Sequence, residues 1–231
     1  MNEVTETSSI LDRGEIRHRF LEVDASNVGD VLDLMGYPDQ GLHPDFAPLP
    51  VNGGKLAGFA YTIRGQMTPY SGQGDPEKMK ACQGISADEV SVWSGDGEGI
   101  CYFGELIALG MKERGSVGAL VDGGVRDVRW LGAHGYPVFA RYRTPVQSIG
   151  RWKVTGWQIP VSMRGATTGY VSVSPGDFIL GDEDGAIVIP AKLIPEVLAK
   201  AEELTRTEIK IREELAKGLT LNEALVRYGH V

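Results

Sequence analysis

The sequence predicts a mixed α/β fold, and three observations carry that prediction. A strand–helix–strand order runs from Glu89 to Asp122, the arrangement of a crossover unit. Strand-like runs joined by turns fill residues 158–190. Beyond them Ile194, Val197, Leu198, Ala201, Leu204, Ile211 and Leu215 keep helical spacing up to Gly218. One α/β domain with a helical C-terminal appendage accounts for all three.

Taken in order, residues 1–19 form a polar extension with a short helix expected around Ile10–Phe20. Ser26 is a suitable N-cap for a helix carrying Val28, Val31, Leu32 and Met35 on one face, and Gly36 is placed to end it. Tyr37–Gly54, rich in Pro, Gly and Asp, is expected to be an irregular loop. Leu56–Arg64 has strand composition and residues 65–75 a second loop composition. A short helix over Pro76–Gln83 and a buried strand over Glu89–Ser94 follow. After the turn Ser-Gly-Asp-Gly-Glu-Gly, a helical pattern runs from about Phe103 to Arg114. Ala119–Asp122 is the returning strand, Val128–His134 a short helix stopped by Gly135, and Pro137–Arg141 a strand. Gln158–Ser162, Tyr170–Val173, Phe178–Leu180 and Ala186–Ile189 are the expected later strands. Thr220 with Glu223 forms a capping box for a last helix after the long one.

Composition narrows the function classes. The 231 residues are 42% hydrophobic, enough for a full core. Twenty-three basic residues against 31 acidic ones argue against a nucleic-acid surface, which needs a basic face. No 18-residue apolar run suggests a membrane span, and Met1–Arg19 lacks the apolar centre of a signal peptide. Two cysteines, Cys82 and Cys101, suit a reducing compartment. The expectation is a cytoplasmic protein.

Chemistry concentrates in Gly95–Asp127. A glycine-rich turn leads into a helix beginning Gly104-Glu105-Leu106-Ile107, whose first backbone N–H groups lack internal partners and sit at the positive end of the helix dipole. A carboxylate or phosphate can dock there, although the glycines alone would equally serve a tight strand-to-helix turn. The second crossover strand runs into Asp122-Gly123-Gly124-Val125-Arg126-Asp127, and ligands of α/β folds bind outside the carboxyl ends of parallel strands. Arg126 offers a cation for an oxyanion and Asp127 a hard oxygen for Mg²⁺. Asp127 is equally placed to cap the following helix.

These segments resemble the RraA-like family, which includes divalent-metal-dependent 4-hydroxy-4-methyl-2-oxoglutarate aldolases. The resemblance rests on Gly104-Glu105-Leu106-Ile107 and on Arg114–Asp127, with an acidic residue, twenty intervening residues and then Arg-Asp: Glu105, Arg126, Asp127. Tyr136–Arg141 and Pro175–Asp177 through Asp182–Gly185 support it, and the similarity spans about Ser26–Ala199. It implies a layered β/β/α swivelling fold with a C-terminal helical extension. The expected organisation is a single domain over 1–231, with a core at about 26–199, an extension at 1–25 and helices at 191–231. The resemblance further implies that the Gly104–Ile107 backbone holds a substrate carboxylate and that Arg126 contacts the 2-oxo oxygen. Asp127 would ligate Mg²⁺, Mn²⁺ or another divalent metal, and Glu105 would hold a water on that metal that relays a proton. The acidic position, often Asp in characterised aldolases, is Glu here. Residues 162–174 are longer than the family's usual turn.

The implied activity is cleavage of a 4-hydroxy-2-oxo acid, such as 4-hydroxy-4-methyl-2-oxoglutarate, to pyruvate, with oxaloacetate decarboxylation as a side reaction. Homotrimers or homohexamers are implied, with no nucleic-acid or membrane partner. Two rivals are a non-catalytic regulator that binds a protein such as ribonuclease E, and the same metal chemistry on a sugar acid. Outside the motif, His18, His43, His134 and His230 show no metal-ligand spacing and are expected on the surface or in packing. Asp182-Glu183-Asp184-Gly185 is expected to be a hairpin turn. Arg141, Arg143 and Arg151 either line an anionic pocket or pair with acids.

Overall fold

The computed structural model describes residues 12–50, 53–72 and 74–230. Its first helix, α1, spans Arg13–Leu21; Ile10 and Leu11 of the expected helix lie outside the described residues. Helix α2 covers Ala25–Leu34, and its N-cap is Asp24 rather than Ser26, which lies within the first turn. The reason is tertiary: Asp182 Oδ2 accepts the Ala25 N–H at 2.7 Å from across the fold, so the helix starts two residues earlier than local chemistry indicates.

Among the described residues eleven strands follow: β1 (Ala47–Pro48), β2 (Leu56–Met67), β3 (Glu89–Ser94), β4 (Cys101–Phe103), β5 (Gly118–Val125), β6 (Val138–Arg143), β7 (Trp152–Trp157), β8 (Val161–Arg164), β9 (Tyr170–Val173), β10 (Phe178–Asp182) and β11 (Gly185–Ile189). Between them lie α3 (Pro76–Gln83), α4 (Glu105–Lys112) and α5 (Val128–Ala133); α6 (Ile194–Ala216) and α7 (Leu221–Tyr228) close the chain. Nine strands form one sheet in the order β1-β6-β5-β3-β2-β10-β11, with β4 beside β5 and β7 beside β2. β2, β3, β5 and β6 run parallel, as the crossover pattern requires. The sheet nearly closes on itself. Val188 N–H donates to Gln40 O and Leu42 N–H to Ala186 O, tying the segment before β1 to β11.

Three differences from the sequence prediction have physical causes. β7 lies where no strand was expected, and it pairs antiparallel with the far half of β2, which runs past Arg64 to Met67. The strand expected at Gln158–Ser162 begins only at Val161, because Gln158 has a left-handed backbone and Pro160 lacks a donor. The expected loop 37–54 contains the two-residue β1, which pairs with Ala140 and Phe139.

Apolar residues on the inner face of the sheet, including Leu56, Val90, Leu120 and Phe139, form a core with Val161, Met163, Val171 and Val173. The long 162–174 segment is therefore the β8–β9 hairpin, which closes the open side of the sheet. A second core joins α1, α2 and α6 to β10 and β11, and a third holds α3, α4 and α5. Val197, Leu198 and Ala201 of α6 are wholly buried, and each Val or Leu contributes about 1.5–3 kcal/mol. Among the described residues no helix is long and apolar enough to cross a membrane.

Candidate functional site

The parallel strands β4 and β5 end side by side, and their carboxyl ends deliver the residues of the sequence motif to one place. Phe103 O accepts the Arg126 N–H at 3.1 Å, locking the two strand ends together. Gly104 is the extended N-cap of α4, and its missing side chain is what permits the arrangement. A Cβ there would lie 2.7 Å from Asp127 Oδ2 and 3.1 Å from Arg126 Cγ. Asp127 Oδ2 accepts the Glu105 N–H at 3.2 Å and lies 3.5 Å from Arg126 Nε. The N–H groups of Leu106 and Ile107 have no acceptor among the described residues.

Asp127 does not cap its own helix with its side chain, although it occupies the N-cap position of α5. Its backbone is left-handed, φ 59° and ψ 31°, a conformation that costs a residue with a Cβ about 1–2 kcal/mol. The turn thus spends stability to aim the carboxylate at Gly104 and Arg126 rather than at its own helix. Arg126 and Asp127 keep 45% and 37% of their side-chain surface exposed, so both are reachable.

Two hollows meet at this pair. One is a cleft of about 490 Å³ whose wall includes Tyr70, Lys78, Cys101, Gly104–Ile107, Arg126 and Asp127. The other is a more open recess of about 650 Å³ beside Arg143 and Thr144. Glu105 points its carboxylate to His134, with Oε1 3.3 Å from Nε2. His134, expected in a surface or packing role, thus borders the motif, 29 residues along the chain from its partner. Only the return of α5 alongside α4 joins them, so no local spacing announces the pair.

The arginine alternatives separate. Arg141 is sequestered: Nε donates to Asp122 Oδ1 at 2.6 Å and Nη2 to Glu98 Oε1 at 2.6 Å. Arg164 of the β8–β9 hairpin joins the same cluster. Arg143 lines the open recess, and Arg151 donates to Gln147 O. Burial pushes the Cys101 thiol up and Cys82 to about 11, which leaves neither a ready nucleophile. The Asp182–Gly185 segment is the β10–β11 hairpin turn, as expected.

Residues 25–188 match the RraA-like family (Aldolase/RraA). The chain belongs to that family. It is 28% identical over 211 residues to protein DlpA of Legionella pneumophila, covering 91% of this chain and 33% of that one. It is 34% identical over 124 residues to a Halalkalibacterium halodurans protein provisionally named a 4-hydroxy-4-methyl-2-oxoglutarate aldolase, covering 53% and 56%. The chain thus spans less than two thirds of either relative. The Streptomyces coelicolor protein RraAS2, described as an unusual member of the RNase ES inhibitor RraA family, has the same fold. It superposes with TM-score 0.73 at 23% identity over 87% of this chain and 98% of that one. The α/β architecture with its nearly closed sheet is that of RraA-like proteins.

Among the described residues no three His, Cys, Asp or Glu side chains cluster as a metal cage. The donor set still suits a hard cation. Mg²⁺ keeps several waters and takes one or two carboxylates plus substrate oxygens. Asp127, exposed, strained into position and with no partner at Oδ1 among the described residues, is such a carboxylate.

Proposed function

We propose that this RraA-like protein is a divalent-metal-dependent lyase that cleaves a 4-hydroxy-2-oxo acid, such as 4-hydroxy-4-methyl-2-oxoglutarate, to release pyruvate. The observation that carries the proposal is the strained Asp127, held beside Arg126 and the free amides of α4 instead of capping α5. Asp127 would hold Mg²⁺ or Mn²⁺, which when bound supplies Lewis acidity to the 2-oxo acid. The Leu106 and Ile107 amides bind the substrate's carboxylate at the positive end of α4. Arg126 places a permanent charge where the 2-oxo oxygen becomes an enolate oxygen. Glu105, oriented by His134, takes the proton from the 4-hydroxyl through water as the C3–C4 bond breaks. Oxaloacetate decarboxylation generates the same enolate without deprotonating a hydroxyl, so the site also supports it.

Leu106 at 78% and Trp130 at 50% exposure flank the motif, apolar surface that a neighbouring copy would cover in a homotrimer or homohexamer. The test is a screen of 2-oxo acids for pyruvate release with Mg²⁺, with Mn²⁺ and with chelator. Release that depends on metal is expected; no turnover of any of them under any condition would favour the protein-binding regulator. Glu105→Gln sharpens it, with aldol cleavage expected to fall by about 10²–10⁴ and oxaloacetate decarboxylation by clearly less. Equal losses in the two reactions would remove Glu105 as the proton carrier.

A further inference from the structure

Lys78 is a buried ammonium with no counter-ion among the described residues. It lies on α3, 9% exposed, and lines the same cleft as Gly104 and Arg126. Nζ donates to Tyr102 O at 2.5 Å and lies 5.4 and 5.9 Å from the Trp93 and Trp152 rings, contacts that leave further donors free. Among the described residues no carboxylate comes within 4.0 Å of it. Asp75, the acid nearest in sequence, spends its oxygens on the Lys78 and Val154 backbone N–H groups, at 3.3 and 2.8 Å. The Tyr70 hydroxyl, buried in the wall of the same cleft, has no hydrogen-bond partner among the described residues.

A charge taken out of water is normally paired, because its desolvation is otherwise uncompensated. Here burial draws the Lys78 ammonium down to about 8, with the Arg126 charge pushing the same way against the pull of Asp75. Both cations face one cleft and only Arg126 has a carboxylate beside it. We propose that Lys78, helped by the Tyr70 hydroxyl, receives a second carboxylate carried on the substrate's tail and so selects dicarboxylic 2-oxo acids over monocarboxylic ones. This rests on the lyase reading for the placement of the first carboxylate at α4. Nothing in the sequence marks it, since a lone lysine on a short amphipathic helix has the pattern of a solvated face.

The test measures binding rather than turnover. Trp93 and Trp152 beside Lys78 provide a fluorescence signal for titration of the Mg²⁺-loaded protein with 2-oxoglutarate and with 2-oxopentanoate, its equal-length analogue lacking the second carboxylate. Wild type should bind 2-oxoglutarate about 10–100-fold more tightly, the range of one charge-assisted hydrogen bond. Lys78→Met should erase that preference and leave 2-oxopentanoate affinity unchanged. Should the variant fail to fold, wild type alone decides, because the preference should fade between pH 7 and pH 10 as Lys78 loses its proton. Asp75, Arg126 and Cys82 also face Lys78, and burial keeps the Cys82 thiol up at about 11. Cys101, Glu105 and Asp127 face both ligands equally and 2-oxopentanoate controls for them, while Tyr70→Phe separates the share of the hydroxyl from that of Lys78. No preference in wild type, a preference that survives both Lys78→Met and high pH, or loss of both ligands in a folded Lys78→Met would overturn the proposal. Preference without any cleavage would sink the lyase reading and keep the subsite. Cleavage without preference would do the reverse.

Discussion

Two aspartate–arginine pairs lie five residues apart at the end of β5, and they do opposite things. Asp122 is buried, with Arg141 at 2.6 Å and Arg164 at 3.3 Å. Burial pushes its carboxyl up while the two guanidinium groups hold it down. That pair is closed on itself and fastens the β8–β9 hairpin to the sheet. Asp127 and Arg126 are half exposed, 3.5 Å apart and held in a strained turn. The same two residue types make a buried fastener in one place and an exposed, strained pair bordering a cleft in the other. Identity and sequence spacing do not separate them; backbone conformation and burial do.

The sharpest way to break this contrast is to remove each arginine in turn. Arg141→Ala leaves Asp122 buried with only Arg164, and should cost about 3–5 kcal/mol of stability in urea denaturation. Arg126→Ala should change stability by no more than about 0.5 kcal/mol. Equal losses would mean that the pairs do not differ. Next in size is activity: Arg126→Lys keeps the charge but loses the planar fork, and should lower pyruvate release by about 10²–10³-fold at unchanged melting temperature. A smaller effect is expected from Gly104→Ala, whose Cβ would wedge between Asp127 and Arg126. It should lower turnover by at least about tenfold while costing about 1–2 kcal/mol, as mild overpacking does. The smallest concerns strain. Asp127→Gly relieves the left-handed backbone and should leave stability equal or raised by up to about 1 kcal/mol, with activity lost. A clear destabilisation would show that Asp127 is structural after all.

Much of this was legible because its signals are local. Pro76–Gln83 and Glu89–Ser94 fall where proline at a helix start and a run of β-formers place them. The Thr220–Glu223 capping box is present with both of its bonds. Arg126 and Asp127 stood out at the carboxyl end of a parallel strand, and Glu105 was singled out through the resemblance to the RraA-like family, whose motif spacing it matches. What stayed hidden depends on distant partners. Ser26 looked like the cap because Asp182, which caps α2, is 157 residues from Ala25. β7 is a strand only because β2 offers it an edge. His134 and Lys78 reach the site through helix packing, and neither carries a sequence pattern that predicts its neighbours.

Magnesium dependence of pyruvate release in wild type and Asp127→Asn tests the central claim most directly. Asparagine keeps the size and tolerates the left-handed turn, but it removes the charge. The half-saturating Mg²⁺ concentration should rise by tenfold or more, on the order of 1.4 kcal/mol in binding, with turnover partly restored at excess metal. An unchanged Mg²⁺ dependence, with turnover either intact or lost beyond rescue, would contradict the assignment of Asp127 as the metal-holding residue.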